Sequence, residues 1–172
     1  MASSVQDQLA KPLFAPLQRE FCSYCGYPPV RRSRGDAARV CNRCNLGMVL
    51  RTAAHSVPRQ DALFLIVNQN LLVQGVSRGA EAVLLVDEPD AVNTPLAELL
   101  TPGNGNASWG DLAELITLAV AEQPSDARID LRTADHPLVW FAGRVSSCGL
   151  PPAALVLLTP LRTRALRSVG AA

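Results

Sequence analysis

Four cysteines fall in two pairs, Cys22-Ser23-Tyr24-Cys25 and Cys41-Asn42-Arg43-Cys44, and their spacing is that of a metal site. Two intervening residues let both sulfurs of a pair reach one ion, and two such pairs complete a closed tetrahedral set of thiolates. Gly26, directly after the first pair, can supply the positive φ that a metal knuckle needs. The expected ligands are Cys22, Cys25, Cys41 and Cys44, holding one structural Zn2+ per chain with no open position for catalysis. A thioredoxin-like redox use of CxxC is the competing reading. It calls for one motif beside a βαβ unit rather than two in an arginine-rich, turn-rich segment. Cys148 stands alone and reads as an ordinary buried residue.

No catalytic constellation accompanies these cysteines. His55 falls in a linker and His136 in a turn before proline, neither within a motif. Gly103-Asn104-Gly105 lacks the glycine and lysine of a phosphate loop, and Glu114 and Glu122 read as the solvated face of a helix. The chain reads as a binding protein, not an enzyme.

The 172 residues carry a net charge of only +1, which hides an asymmetry. Residues 17–60 hold eight arginines against Glu20 and Asp36, a net of +6, whereas residues 61–160 hold four arginines against twelve acids, a net of −8. A four-thiolate zinc site removes about two units from the first excess. Opposite signs in the two halves point to surfaces with different partners, or surfaces that meet each other. Arg31, Arg32, Arg34, Arg39 and Arg43 are the candidate contacts to nucleic acid or to a protein partner. Apolar residues make up 48% of the chain, enough for a core, but no run is long enough to span a membrane. No secretory signal is seen in Met1–Phe14, so reduced thiols in the cytoplasm are expected.

The elements that must position these residues divide into five stretches. Residues 1–16 read as a flexible N-terminal segment, 17–52 as the zinc module, 53–60 as a linker, 61–161 as a second domain and 162–172 as a tail. The module has almost no apolar core, so metal supplies most of its folding free energy. In the second domain, Ala62–Val67 and Leu71–Val76 flank Asn68-Gln69-Asn70 and predict a β-hairpin. Ser77 predicts a helix start, and Leu96–Leu100 a further helical turn. Ser108-Trp109-Gly110-Asp111 predicts a capping box opening an amphipathic helix with Leu112, Leu115, Ile116, Ala119 and Val120 on one face. Asp126–Thr133 alternates strictly and predicts a strand, followed by strands over Leu138–Ser146 and Ala154–Thr159.

This order of elements, with the opening LFLIVNQNLLVQGVSRGAEAVL and the closing RIDLRT, PLVWFAGRV and AALVLLTPL, resembles a PAS domain over residues 61–161. The cysteine segment resembles a zinc ribbon. The expected fold class is therefore α+β: a small four-cysteine zinc ribbon followed by a PAS-like five-stranded antiparallel sheet with flanking helices. A profilin-like or roadblock-like domain of similar order is the alternative. The resemblance implies a sensory or adaptor role, with ligand or protein binding, homodimerisation and output through a protein partner. It also implies a pocket lined by Leu65, Val67, Leu115, Ile116, Ile129, Leu131 and Trp140, although the same residues would equally fill a core. The Asn-Cys-Arg-Phe-like flavin motif of the family is missing, as is a histidine on the long helix, so neither flavin nor haem is expected. A nucleic-acid-binding regulator using the arginine-rich module is the second functional expectation, and no membrane partner is expected.

Overall fold

A computed structural model describes residues 17–30, 39–103, 107–123, 127–136, 138–149 and 151–161. Its strands are β1 (Gln18–Cys22), β2 (Val49–Ala53), β3 (Leu63–Val67), β4 (Val73–Val76), β5 (Leu100–Pro102), β6 (Arg128–Thr133), β7 (Trp140–Gly149) and β8 (Ala153–Leu161). The helices are α1 (Arg78–Leu84), α2 (Glu88–Ala91) and α3 (Trp109–Val120), with single 3-10 turns at Ala54–Ser56 and Leu96–Glu98.

All eight strands belong to one antiparallel sheet, which corrects the expected five-stranded PAS-like sheet with flanking helices. The path runs β1-β2-β7-β8-β3-β4, with β6 also on β7 and β5 on β6. One edge of β7 is divided: β6 pairs with Trp140–Arg144, and β2 pairs with Cys148 and Gly149. Thr52 reinforces the second junction, its hydroxyl donating to the Ser147 carbonyl at 2.7 Å. The strands on either side of the cysteine turns thus continue the main sheet.

The reason lies in the central strands. Leu65 and Val67 of β3 and Ala154, Val156 and Leu158 of β8 join one buried cluster with Leu112, Ile116 and Ala119 of α3. Their neighbours Phe64, Ile66, Ala153 and Leu155 point to the other face and join a second cluster with Phe21 of β1 and Leu50 of β2. Phe21 meets Phe64 edge to face, with ring centroids 5.9 Å apart. A strand buried on both faces reads as a continuous apolar run rather than an alternation, which is what LFLIV and AALVLL are. The second face needs a cover, and the β1–β2 pair provides it.

Local signals explain the remaining elements. The Asn68 side chain accepts from the backbone N–H groups of Asn70 and Leu72, at 2.9 and 3.1 Å, and closes the β3–β4 hairpin. Ser77 caps α1 through the Ala80 N–H at 3.2 Å and also accepts from Phe64 N–H at 3.0 Å, tying helix to sheet. The expected capping box forms at α3, with the Asp111 N–H donating to Ser108 Oγ at 3.2 Å and the Ser108 N–H to the Asp111 carboxylate at 2.6 Å. Leu96–Leu100, expected as a helical turn, is a 3-10 turn leading into β5, which pairs with β6 from Leu100↔Thr133 to Pro102↔Leu131. Strand β7 extends three residues past the expected end at Ser146, to Gly149, and those residues include its pairing to β2.

Candidate metal centre

Strand β1 delivers Cys22 directly into a tight turn. The Cys22 N–H donates to Tyr27 O at 2.9 Å, and the Gly26 N–H returns to Cys22 O at 3.0 Å. Gly26 takes a φ of 73°, and a Cβ there would lie 2.9 Å from the Arg59 carbonyl oxygen. The second turn repeats the pattern: Cys41 N–H donates to Gly47 O at 2.8 Å and Asn45 N–H to Cys41 O at 2.9 Å. Asn45 has a φ of 57°, four residues after the first cysteine of its pair, as Gly26 is of its own. Asparagine tolerates this left-handed conformation better than most residues.

In both turns, backbone N–H groups are aimed at sulfur. Tyr24 and Cys25 donate to Cys22 Sγ at 3.4 Å each, and Arg43 donates to Cys41 Sγ at 3.4 Å. Such donors stabilise thiolate. The four sulfurs lie within 4.8 Å of one another, with Cys22–Cys44 at 3.6 Å and Cys25–Cys41 at 3.9 Å. A tetrahedron with metal–sulfur bonds of about 2.3 Å has edges of about 3.8 Å, so the set has the dimensions of a four-thiolate site. A disulfide would need about 2.05 Å, and all five cysteines are free thiols. The four clustered cysteines fit a metal ion. Cys22 and Cys41 are fully buried, whereas Cys25 and Cys44 are partly open.

Without an ion, burial raises the Cys22 and Cys25 thiols. Burial also works against ionisation of Cys44, yet the N–H groups of Gly47 and Leu46, with Cys22 and Cys41 beside it, bring it down to about 7. Cys148 behaves differently, since burial alone pushes it up to about 12, far from the cluster's donors.

The two turns are fastened to each other and to the sheet. Ser23 N–H donates to Met48 O at 2.8 Å, and the Met48 N–H donates to Ser23 Oγ at 2.9 Å. Asn42 clasps Val30 as a strand would, donating to its carbonyl at 2.7 Å and accepting from its N–H at 3.1 Å. A Cβ at Gly47 would run into the Cys22 sulfur and come within 2.7 Å of Tyr24. Tyr24 then joins the centre to α1: its carbonyl accepts from the Arg78 N–H at 3.0 Å, and its hydroxyl donates to Glu81 at 3.0 Å.

Of the arginines singled out above, Arg39 and Arg43 are exposed, and Arg43 stacks 3.5 Å over the Tyr27 ring. Arg31, Arg32 and Arg34 lie outside the described residues. Arg51, also basic, pairs with Glu20 at 3.2 Å. Apart from Trp140, the residues named for a ligand pocket lie at the opposite face of the sheet. Leu65, Val67, Ile116, Ile129 and Leu131 are buried together in one apolar cluster, with Leu115 packed on its margin. Trp140 stands apart from that cluster, half-buried, with its ring against Gly103. An open cleft of about 480 Å3 occurs instead beside the cysteines, where Tyr24, Tyr27, Arg43 and Leu46 face Arg78 of α1.

Asn45, Asn42, Leu46 and Arg78 were not legible as site residues. Only Asn45 had a signal, its equivalence in position to Gly26. No protein-family model and no curated protein matches the sequence.

Proposed function

We propose that Cys22, Cys25, Cys41 and Cys44 bind one structural Zn2+ as thiolates, in a zinc-ribbon-like pair of knuckles. We further propose that the chain is a non-catalytic regulatory adaptor that uses this end of the sheet to bind a protein partner. The observation that carries the reading is a closed four-sulfur set ringed by outward apolar side chains. Val30, Val40, Leu46 and Met48 are exposed around the cysteines, Leu46 by 67%. Val40 and Met48 are bridged across the second turn, which places them side by side. Four protein ligands leave a zinc ion no position for substrate, so its role is to hold the turns and what they display. Exposed apolar groups on a rigid support, rimmed by arginine, are the usual makings of a protein interface.

Native mass spectrometry of the purified full chain tests the first half, with one Zn2+ per chain expected and its absence, or iron in its place, overturning it. The second half is tested by co-purification of the wild type against Leu46→Glu and Met48→Glu. A partner lost from both variants, with zinc retained, supports the adaptor. A partner set unchanged by both substitutions overturns it.

A further inference from the structure

We propose that Cys25 and Cys44 are peroxide-reactive modification sites, and that their oxidation exchanges the metal for two disulfides across the turns, Cys22–Cys44 and Cys25–Cys41. The inference rests on the four-thiolate reading and adds a redox chemistry to it.

The two halves of the cluster differ in access. Cys22 and Cys41 are fully buried, whereas Cys25 and Cys44 are partly open and line the cleft of about 480 Å3 beside the turns. Arginines, thiolates and the nearby Glu81 give that cleft mixed charge. Hydrogen peroxide is small and neutral, so its entry depends on space rather than on charge. Each open sulfur has a buried one within reach: Cys44 lies 3.6 Å from Cys22, and Cys25 3.9 Å from Cys41. An accessible cysteine poised beside a second thiol is the arrangement that reversible oxidation uses. The two pairs share no residue, so both can form and together use all four sulfurs. Cys148, by contrast, is only 3% exposed and lies outside the cluster.

The chemistry balances with peroxide as the oxidant. The Cys44 thiolate attacks one peroxide oxygen; an S–O bond forms as the O–O bond breaks, and hydroxide leaves. The Cys22 thiolate then attacks the sulfenic sulfur; the S–S bond forms as the S–O bond breaks, and a second hydroxide leaves. Cys25 and Cys41 react in the same way. Four thiolates lose four electrons to two peroxide molecules, and no ligand remains for the ion. Each pair of sulfurs must close to about 2.05 Å, a movement of under about 2 Å. Both new bonds cross from one turn to the other, so the turns stay joined when the ion departs. The hydrogen bonds between Ser23 and Met48 add to that join and keep β1 beside β2.

The test treats the zinc-loaded full chain with about two equivalents of hydrogen peroxide, then blocks free thiols and maps disulfides by peptide mass spectrometry. A chromogenic chelator reads the zinc set free. Release of the ion is expected, with Cys22–Cys44 and Cys25–Cys41 linked and Cys148 still reduced. At limiting peroxide, dimedone should trap sulfenic acid on Cys25 or Cys44. Hydrogen exchange should find the amides of β1 and β2 still protected in the oxidised chain, and a dithiol with added Zn2+ should restore the metal. Disulfides within the pairs, Cys22–Cys25 and Cys41–Cys44, overturn the proposal. So does trapping at Cys22 or Cys41, or zinc retained at about a hundredfold excess of peroxide. If the untreated chain holds one zinc, such a result removes the redox chemistry alone. If the untreated chain holds none, the ligand reading falls with it.

Discussion

Asn45 and Gly47 shape the cysteine cluster without supplying a sulfur, one through its backbone angle and the other through its lack of a side chain. Asn45 occupies the left-handed region at φ 57°, where β-branched side chains are strained. Asn45→Val should therefore weaken metal retention, costing about 1–2 kcal/mol, while Asn45→Gly keeps it. Competition with a chromogenic zinc chelator reads both, and equal retention by the two variants would refute the role given to this backbone. At Gly47 the constraint is space, since any Cβ meets the Cys22 sulfur and Tyr24. Gly47→Ala is expected to release zinc at lower chelator concentration than the wild type. Cys41→Ser should drop the stoichiometry from one ion per chain to a small fraction, and an unchanged zinc content would disprove the ligand set.

At the scale of single elements, α3 shows how far local sequence can carry a structure. Its start is set by Ser108 and Asp111, which exchange hydrogen bonds across the first turn. Ser108→Ala should destabilise the protein by about 1 kcal/mol, measurable by urea denaturation. The Ser108 N–H and hydroxyl hold the Asp111 carboxyl below its ordinary value. A depressed folded-state pKa means that the contribution is present above the unfolded Asp pKa and lost as pH falls through the folded one. Denaturation followed down through the acid range should show the wild type converging on Asp111→Asn, and parallel curves would refute the assignment.

Strand β6 was equally legible, because Ile129, Leu131 and Thr133 alternate with exposed or half-exposed partners. Strand β5 was not. Its three residues, Leu100–Pro102, carry no periodicity, and the strand exists only because β6 has an edge to offer.

For the whole molecule, the decisive feature is that the strands flanking the cysteine turns share the sheet and one of its two cores. Removing the ion with a chelator should release β1 and β2, uncovering Phe64, Ile66 and Leu155, while the cluster beneath α3 stays packed. Hydrogen exchange checks this: amides of β1 and β2 should lose protection on chelation, while those of β6 and α3 keep it. Simultaneous loss throughout would mean that the two cores are energetically one. Phe64→Ala, which removes the ring that meets Phe21, should cost about 3–5 kcal/mol and loosen the same strands even with metal present.

The sequence by itself determined the two cysteine pairs, the hairpin at Asn68, the cap of α3 and the strand β6, because each of these rests on residues within a few positions of one another. The repeated CxxC spacing was enough to bring the two pairs together. It also held a clue to the larger fold, since the unbroken apolar runs of β3 and β8 mark strands covered on both faces. What covers the second face was decided only in three dimensions. The β2–β7 junction joins residues almost a hundred positions apart through two residue pairs, too few to leave a pattern in either strand. The cleft has the same origin, since Arg43 and Arg78 come to line one space only when the cysteine turns close and Tyr24 fastens them to α1.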